Sequence, residues 1–285
     1  MLISVIGGDL RQLTLAKLLS KDGYAVKIFG FDKEISSGSL TKATDIKDAL
    51  SSQIFILPLP ITHDGIVINS PFAEKEIHIK ELTDSLPEKS IVLGGKIPLS
   101  FSNVCREKGI KIFDYFEREE LTVANAIPTA EGAIEIALCE TPYTLHNSKC
   151  LVIGYGRIGK ILADRLKAFG ADVTVSARKH SDFAWIEANG YKKAHTNKLE
   201  ISKYNLIFNT VPAMILTEEH LRNIPKDSLI IDLASKPGGV DFALAKELGV
   251  KVIWALSLPG KVAPITSGEI IKNAVINIIN EMEGL

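Results

Sequence analysis

The feature that most constrains the fold of this chain is a glycine motif in its second half. The motif reads Gly154-Tyr-Gly156-Arg-Ile-Gly159 and directly follows an apolar strand pattern at residues 150–153. After it, apolar residues recur at helical spacing, at positions 158, 161, 162, 166 and 169. A strand, a glycine turn of this spacing and a helix together begin a dinucleotide-binding unit. The motif therefore predicts phosphate binding at the amino end of that helix, where N–H groups and the helix dipole favour anions.

The three glycines have separate tasks in such a turn. Gly154 permits the tight turn, Gly156 lets the backbone approach a pyrophosphate, and Gly159 lets the helix pack closely on the strand. Because they lie between these glycines, Arg157 and Ile158 are also predicted to line the cofactor site.

The end of the next strand indicates which dinucleotide is bound. An Asp or Glu there accepts hydrogen bonds from the ribose of NAD. This chain instead has Ser176-Ala177-Arg178-Lys179. Ser176, Arg178 and Lys179 could hold a 2′-phosphate through charge-assisted hydrogen bonds, whereas a carboxylate would repel it. We expect NADP, with NAD and an ordinary basic loop as the alternatives.

Two later strand ends are predicted to complete the cofactor site, because ligands of open α/β sheets bind beyond the carboxyl ends of the strands. Ordinary loop chemistry is the alternative at each single position. The residues concerned are Asn209, Thr210, Val211, Pro212, Asp232, Ala234 and Ser235.

Short apolar runs alternate with helical patterns along the whole chain, which is typical of parallel sheets covered by helices. Glycines that end a helix before the next strand occur in both halves, at Gly23, Gly109, Gly170 and Gly249. The predicted strands are residues 2–6, 25–29, 54–57, 90–93, 111–113, 150–153, 172–176, 206–209, 229–233 and 250–255.

We therefore predict an α/β protein of two Rossmann-like domains with parallel sheets, joined by a connecting helix that has Pro128 in its first turn. Residues 1–124 would form an N-terminal α/β domain for substrate or partner, and residues 125–285 an NAD(P)-binding Rossmann domain. A C-terminal helix at 266–283 either caps its own domain or packs back on the first one.

Charge and cysteine content exclude several classes of protein. Lys and Arg number 33 against 34 Asp and Glu, so the chain lacks the basic excess of a nucleic-acid binder. Neither a signal peptide nor a membrane span is expected, which predicts a cytoplasmic protein. Cys105, Cys139 and Cys150 lack metal-ligand spacing and are predicted to be small buried residues. No metal site is expected.

Polar residues near the start of the chain and near the domain boundary are candidates for substrate binding. Gly7-Gly8 lacks the spacing of a second phosphate loop, and Asp9 there would repel a phosphate. Asp9, Arg11 and Gln12 follow a strand and could face a ligand, with capping of the next helix by Asp9 as the alternative. Arg118 is a candidate for binding a carboxylate.

Four segments, in this order, resemble the family of dipicolinate synthase A subunits, and the likeness spans nearly the whole chain. The domain plan is also similar to that of D-2-hydroxyacid dehydrogenases and adenosylhomocysteinases, although no His–carboxylate pair of the former is found. The segments are Gly7-Gly8-Asp9-x-Arg11-Gln12, Asn125-x-Ile127-Pro128-Thr129-x-Glu131-Gly132, Asp232-Leu-Ala-Ser235-x-Pro237-Gly238-Gly239-x-Asp241-Phe242 and Leu258-Pro259-Gly260-x-Val262-Ala263-Pro264-x-Thr266-Ser267-Gly268.

The resemblance implies oxidation of dihydrodipicolinate to dipicolinate in the mother cell of a sporulating bacterium, together with the flavoprotein-like B subunit of dipicolinate synthase. Arg11 and Arg118 would bind the carboxylates of this small diacid, assisted by Thr129 and the amino end of the connecting helix. Glu131 would accept the proton, with stabilisation of the first helical turn as the alternative. A non-catalytic subunit that activates the flavin partner and an independent hydroxyacid or shikimate-type dehydrogenase stay open. A homo-oligomer is also compatible with the sequence.

Overall fold

The computed structural model describes residues 1–33 and 36–284. The chain forms two compact units, one of Met1–Asn125 with Ala263–Leu285 and one of Ala126–Val262. The strands are β1 Leu2–Ile6, β2 Ala25–Phe29, β3 Thr41–Lys42, β4 Ile54–Ile56, β5 Ile91–Gly94, β6 Lys111–Asp114, β7 Lys149–Ile153, β8 Asp172–Ala177, β9 Lys192–His195, β10 Leu206–Asn209, β11 Leu229–Asp232 and β12 Lys251–Trp254.

The helices lie between these strands along the chain and are numbered in chain order. They are α1 Leu10–Lys21, α2 Ile46–Ala49, α3 Ile79–Ser85, α4 Leu99–Glu107, α5 Glu119–Glu140, α6 Arg157–Ala168, α7 His180–Ala188, α8 Glu218–Leu221, α9 Phe242–Glu247, α10 Leu258–Val262 and α11 Pro264–Glu283.

Each unit contains one parallel six-stranded sheet with the same doubly wound topology. The strand order is β3-β2-β1-β4-β5-β6 in the first unit and β12-β11-β10-β7-β8-β9 in the second. Every strand pair is parallel. The prediction of two Rossmann-like domains with parallel sheets is therefore confirmed. In each sheet the chain reverses direction beside the first strand, at β1/β4 and at β7/β10, where ligands of such sheets bind.

The central strands have apolar side chains on both faces, so they are stable only in the interior of a unit, where helices cover both faces of the sheet. All residues of β10 and β11 are buried, and helices cover both faces of the sheet. The four glycines predicted to end helices have left-handed φ angles of 92°, 69°, 80° and 69° at Gly23, Gly109, Gly170 and Gly249. Only glycine adopts this conformation readily, so each helix ends there and the next strand begins.

The connecting helix differs from the prediction. Helix α5 already begins at Glu119, so Pro128 lies inside it and not in its first turn. Glu119 and Glu120 place negative charge at the amino end, which stabilises the helix dipole, and Leu121 is buried. The predicted inward face is correct at Ile134 and Ala137 and wrong at Leu138, which is 47% exposed.

Helix α11 belongs to the first unit, where it packs on α1. A Cβ on Gly268 would lie 2.6 Å from the carbonyl oxygen of Arg11, so this close helix contact requires a glycine. The apolar face of α11 enters the core of this unit at Ile271, Val275 and Ile278. The ammonium of Lys272 also binds Asp22, at 2.7 Å, beyond the end of α1.

The three cysteines are free thiols, and one of them contradicts the sequence prediction. Cys105 and Cys150 are buried, and burial raises the pKa of their thiols to about 11 and about 12. Cys139, by contrast, is exposed. It lies near the carboxyl end of α5, next to the exposed Leu138, on the side of the helix that faces away from the core.

Candidate functional site: the carboxyl edges of the two sheets

The glycine loop lies between the end of β7 and the start of α6. Gly154 has a φ of 98°, and a Cβ there would lie 2.5 Å from Oγ1 of Thr210. A Cβ on Gly159 would collide with the carbonyl oxygen of Gly154. Gly156 differs from both, because a Cβ built there meets no heavy atom within 4 Å. Two of the glycines therefore serve the packing of the loop, and the third keeps space open beside its backbone.

This open space is the kind of site that a diphosphate requires. Gly156 is the N-cap residue of α6 and provides no side-chain cap for the first-turn N–H groups. An anion can bind to such N–H groups and is further stabilised by the helix dipole. The backbone N–H of Gly154 is already bonded to the carbonyl of Ser176 at 3.0 Å, which fixes the loop against β8. The loop thus fits the pyrophosphate of a dinucleotide.

The end of β8 presents two basic side chains but not the predicted serine. Ser176 is fully buried, and its hydroxyl oxygen accepts a hydrogen bond of 3.2 Å from Thr196. The strand continues to Ala177, so Ser176 still lies within the sheet, and its expected contact with a phosphate is wrong. Arg178 and Lys179 are exposed directly after the strand, and within residues 1–33 and 36–284 neither forms an ion pair.

Asn209 and Asp232 form the buried centre of the loops that follow β10 and β11. The parallel register places these last strand residues side by side, and neither is accessible to solvent. One carboxylate oxygen of Asp232 accepts hydrogen bonds from Asn209 Nδ2 at 2.8 Å and from the Ala234 N–H at 3.0 Å. The other accepts from the Gly239 N–H at 2.8 Å. Both side chains therefore hold the loops in place, and any part they have in a cofactor site is indirect.

Some of the other predicted residues of these loops pack inside the unit, and the rest are exposed at its surface. The hydroxyl of Thr210 donates to the Ile153 carbonyl at 2.8 Å, and Val211 is half-buried beside Gly154. Ala234 is buried, whereas Pro212 and Ser235 are exposed.

The two candidate catalytic residues lie in the middle of α5. The carboxylate of Glu131 is 57% exposed and lies 3.4 Å from the guanidinium of Arg165. Thr129 is buried, at 8% exposure. Because α5 begins at Glu119, the backbone around Thr129 is interior helix, and its N–H groups are not the free groups of a helix start. The expected assistance from a helix amino end at this position is therefore wrong.

Arg11 and Asp9 bind each other at the carboxyl end of β1. The Asp9 carboxylate caps α1 by accepting from the Arg11 N–H at 2.9 Å, as the alternative interpretation expected. It also accepts from the Arg11 guanidinium, with 2.8 Å between Nη2 and Oδ2. A further bond of 2.6 Å joins Nη2 of Arg11 to the Leu59 carbonyl. The charge of Arg11 is thus already compensated within the chain.

Gln12 is fully buried next to this pair and has an unsatisfied oxygen. Its Nε2 donates a long hydrogen bond of 3.5 Å to Tyr115, whose hydroxyl donates to the Leu57 carbonyl at 2.8 Å. Burial raises the pKa of Tyr115 well above its usual value, so its hydroxyl stays protonated. Oε1 of Gln12 has no hydrogen-bond partner among the described residues. A buried acceptor without a donor is costly, so Gln12 is the least satisfied polar group at this end of β1.

The glycine turn of the first unit is closed. The N–H of Gly7 donates to the Phe29 carbonyl and that of Gly8 to the Asn69 carbonyl, both at 2.8 Å. These N–H groups are therefore used within the chain.

Arg118 binds two carboxylates of its own chain. Its guanidinium forms two hydrogen bonds to Glu281 of α11, at 2.6 and 2.8 Å, and one to Glu120 at 2.7 Å. These contacts lower the pKa of both carboxyl groups. Arg118 was predicted to bind a carboxylate of the substrate, but in the structure its guanidinium binds carboxylates of its own chain and holds helix α11.

Sequence reasoning missed two exposed lysines at the carboxyl ends of strands. Lys96 follows β5 in the segment Gly94-Gly95-Lys96, and Lys236 follows β11. For Lys96, two glycines at the end of a strand, followed by a basic residue, were the available signal.

No group of three possible metal ligands occurs in the part of the chain that the structure describes. No helix of that part is long and apolar enough to cross a membrane.

Comparisons with known proteins find a match for each of the two sheet-containing parts of the chain. Residues 2–116 match the N-terminal domain of the dipicolinate synthase A subunit, and residues 131–256 match the D-isomer specific 2-hydroxyacid dehydrogenase NAD-binding domain. The dipicolinate synthase A subunit of Bacillus subtilis (strain 168) is 34% identical over 286 residues, covering 99% of this chain and 96% of the relative. The chain belongs to the family of dipicolinate synthase A subunits.

Solved structures of the family have the same fold. The dipicolinate synthase A chain from Bacillus subtilis has a TM-score of 0.89 at 33% identity, covering 100% of this chain and 97% of that one. The dipicolinate synthase A subunit from Bacillus halodurans has a TM-score of 0.88 at 30% identity, covering 97% of each chain. The resemblance seen in the sequence is therefore confirmed, and the second unit of this chain is the nicotinamide-binding domain of an oxidoreductase.

Proposed function

We propose that this protein oxidises dihydrodipicolinate to dipicolinate with NADP⁺ as the acceptor, together with the flavoprotein-like B subunit, in the cytoplasm of the mother cell during sporulation. The observation that carries the proposal is the open glycine loop before α6 in a chain of this family. The relatives are dipicolinate synthase subunits, which indicates dipicolinate as the product. The glycine loop would hold the redox cofactor.

The cofactor would be held at the carboxyl edge of the second sheet. Gly156 and the first turn of α6 would bind the pyrophosphate, and Arg178 and Lys179 the 2′-phosphate. Pro212 and Ser235 would border the nicotinamide. When bound, this cofactor supplies the hydride acceptor.

Formation of the aromatic ring removes a proton as well as a hydride from the substrate. Glu131 is the candidate acceptor, because its exposed carboxylate can pass the proton to water. Arg165, whose guanidinium lies 3.4 Å from the Glu131 carboxylate, would orient it towards the substrate. Thr129 lies one helical turn after Ala126, where the second unit begins, and it would position helix α5.

A second candidate function is a subunit that binds nucleotide or substrate and activates a flavin-containing partner. The state of the candidate side chains favours it: Asp9 neutralises Arg11, two glutamates neutralise Arg118, and Glu131 is exposed to water. None of these is a desolvated acid or base with an obvious catalytic partner.

An assay of the purified protein separates the two functions. Dihydrodipicolinate and NADP⁺ are mixed with the protein, with and without the B subunit, and NADPH absorbance is followed. The catalytic function predicts NADPH formation that requires the protein described here. Product formation without any NADPH signal, and only in the presence of the flavin-loaded B subunit, would instead establish the activating function.

Replacing Arg178 with alanine is expected to weaken NADPH binding about 10-fold, because a charge-assisted bond to the 2′-phosphate contributes about 1.5–3 kcal/mol and is partly screened at an exposed site. NADH lacks this phosphate, so its affinity should stay within about 2-fold of the wild-type value. Fluorescence titration with both nucleotides measures the two effects. An equal loss for NADH and NADPH, or no loss for NADPH, would remove the phosphate contact from the proposal.

A further inference from the structure

Lys96 stands at the carboxyl end of β5 in a rigidly held loop. Its N–H donates to the Asp114 carboxylate at 3.1 Å, and the N–H of Ile97 donates to the other oxygen at 2.8 Å. The same carboxylate accepts from the N–H of Phe116 at 2.8 Å. Asp114 thus ties the loop after β5 to the loop after β6.

The backbone of Lys96 adopts a conformation that favours glycine. Its φ is 53°, in the left-handed region where a side chain is disfavoured. The chain uses glycine in the neighbouring position, since a Cβ on Gly95 would lie 2.6 Å from the Leu59 side chain and 2.7 Å from that of Tyr115. A glycine at position 96 would relieve the strain, yet a lysine is present.

The ammonium group of Lys96 is ordered without being neutralised. It lies 5.0 Å from the ring centroid of Phe116, a cation–π contact that favours this position. No carboxylate within ion-pair distance is found for it in residues 1–33 and 36–284, and the side chain is exposed. Arg11 and Arg118, the cations expected from the sequence, are both bound to carboxylates of the chain. Lys96 therefore retains a positive charge that can bind an anionic ligand.

We propose that Lys96 binds a carboxylate of the diacid substrate at the carboxyl edge of the first sheet. The inference rests on the proposed function for the identity of the diacid. The Lys96 ammonium donates hydrogen bonds to the carboxylate, and the Phe116 ring and the Asp114 clamp hold the lysine in place before the ligand arrives. Such preorganisation lowers the entropy cost of binding.

A second lysine of the same unit provides a matched control. Lys89 also has a left-handed φ, 61°, and is exposed, but it lies in the turn before β5, at the opposite end of that strand. Lys96→Gly and Lys89→Gly both remove one positive charge and relieve the same backbone strain. Both variants are expected to keep or raise the unfolding temperature of the protein.

The test is calorimetric titration of the full chain with dipicolinate, with and without NADP⁺. Lys96→Gly is expected to weaken dipicolinate binding about 10-fold, the loss of one hydrogen-bonded charge pair that is partly screened at an exposed position. Lys89→Gly is expected to bind like the wild type. Lys96→Arg is expected to recover most of the affinity, because it keeps the charge at an exposed position.

The outcomes separate this inference from the proposed function. Equal binding by wild type and Lys96→Gly overturns the role of Lys96 and leaves the proposed function intact, provided that the NADPH assay is positive. Equal losses in Lys96→Gly and Lys89→Gly also overturn it, since they indicate a nonspecific charge effect. A wild-type protein that binds NADP⁺ but not dipicolinate overturns both the inference and the diacid substrate.

Discussion

Replacing Gly156 with alanine is expected to weaken NADPH and NADH binding about 100-fold while the protein stays folded. The new methyl group would enter the open space beside the loop backbone, where no protein atom lies within 4 Å. A diphosphate would be displaced from the first-turn N–H groups of α6, and losing two such charge-assisted bonds at about 1.5 kcal/mol each corresponds to about 100-fold. Titration of both nucleotides, together with thermal unfolding, measures the effect.

Gly159→Ala is the informative comparison for this prediction. A Cβ at position 159 would collide with the Gly154 carbonyl, so this variant should lose stability as well as binding. Gly156 has a φ of −82°, which alanine adopts without strain, so Gly156→Ala should unfold within a few degrees of the wild type. If Gly156→Ala bound NADPH like the wild type, the loop would not be the diphosphate site.

The sequence predicts the central strands of both sheets and one edge strand of each, but it misses the other edge strand of each sheet. Central strands are buried on both faces, so they appear as uninterrupted apolar runs. The two strands that were missed, Thr41–Lys42 and Lys192–His195, lie at the edges of the sheets. One has two residues and the other contains two exposed lysines, so neither carries an apolar pattern. Only pairing with a neighbouring strand makes them part of a sheet.

Local rules also failed where tertiary contacts compete with them. Proline favours the first turn of a helix, which placed the start of the connecting helix at Pro128. The preceding residues nonetheless form helix, because Leu121 and Ala126 become buried. The energy of this burial outweighs the hydrogen bond that Pro128 cannot donate.

The partners that charged side chains bind in the structure depend on contacts that the spacing of residues in the sequence does not reveal. Asp9 and Arg11 are neighbours in sequence, and their pairing was within reach of a local argument. Arg118 and Glu281 are 163 positions apart, and they meet only because α11 returns to the first unit. The sequence therefore named both arginines as candidates, but it could not show that each already binds carboxylates of the chain.

Asp232→Ala is expected to destabilise the protein by about 3–5 kcal/mol, since three donors lose a buried acceptor and each such donor costs about 1–3 kcal/mol before water replaces part of the loss. The donors are Asn209 Nδ2 and the N–H groups of Ala234 and Gly239. Urea unfolding measures the free energy. Asp241→Ala, which removes only the cap of α9, should cost about 1 kcal/mol and serves as the control.

Asp232→Asn tests whether this residue positions the loops or touches the cofactor. The amide keeps one acceptor oxygen but brings an NH₂ group towards a donor, so we expect a loss of about 2 kcal/mol in stability. Because Asp232 is fully buried, its replacement should weaken NADH and NADPH binding by the same factor, through the shape of the loops after β10 and β11. A changed preference between the two nucleotides would mean that Asp232 contacts the ribose directly. A destabilisation below about 1 kcal/mol in Asp232→Ala would show that the network around it does not hold this unit together.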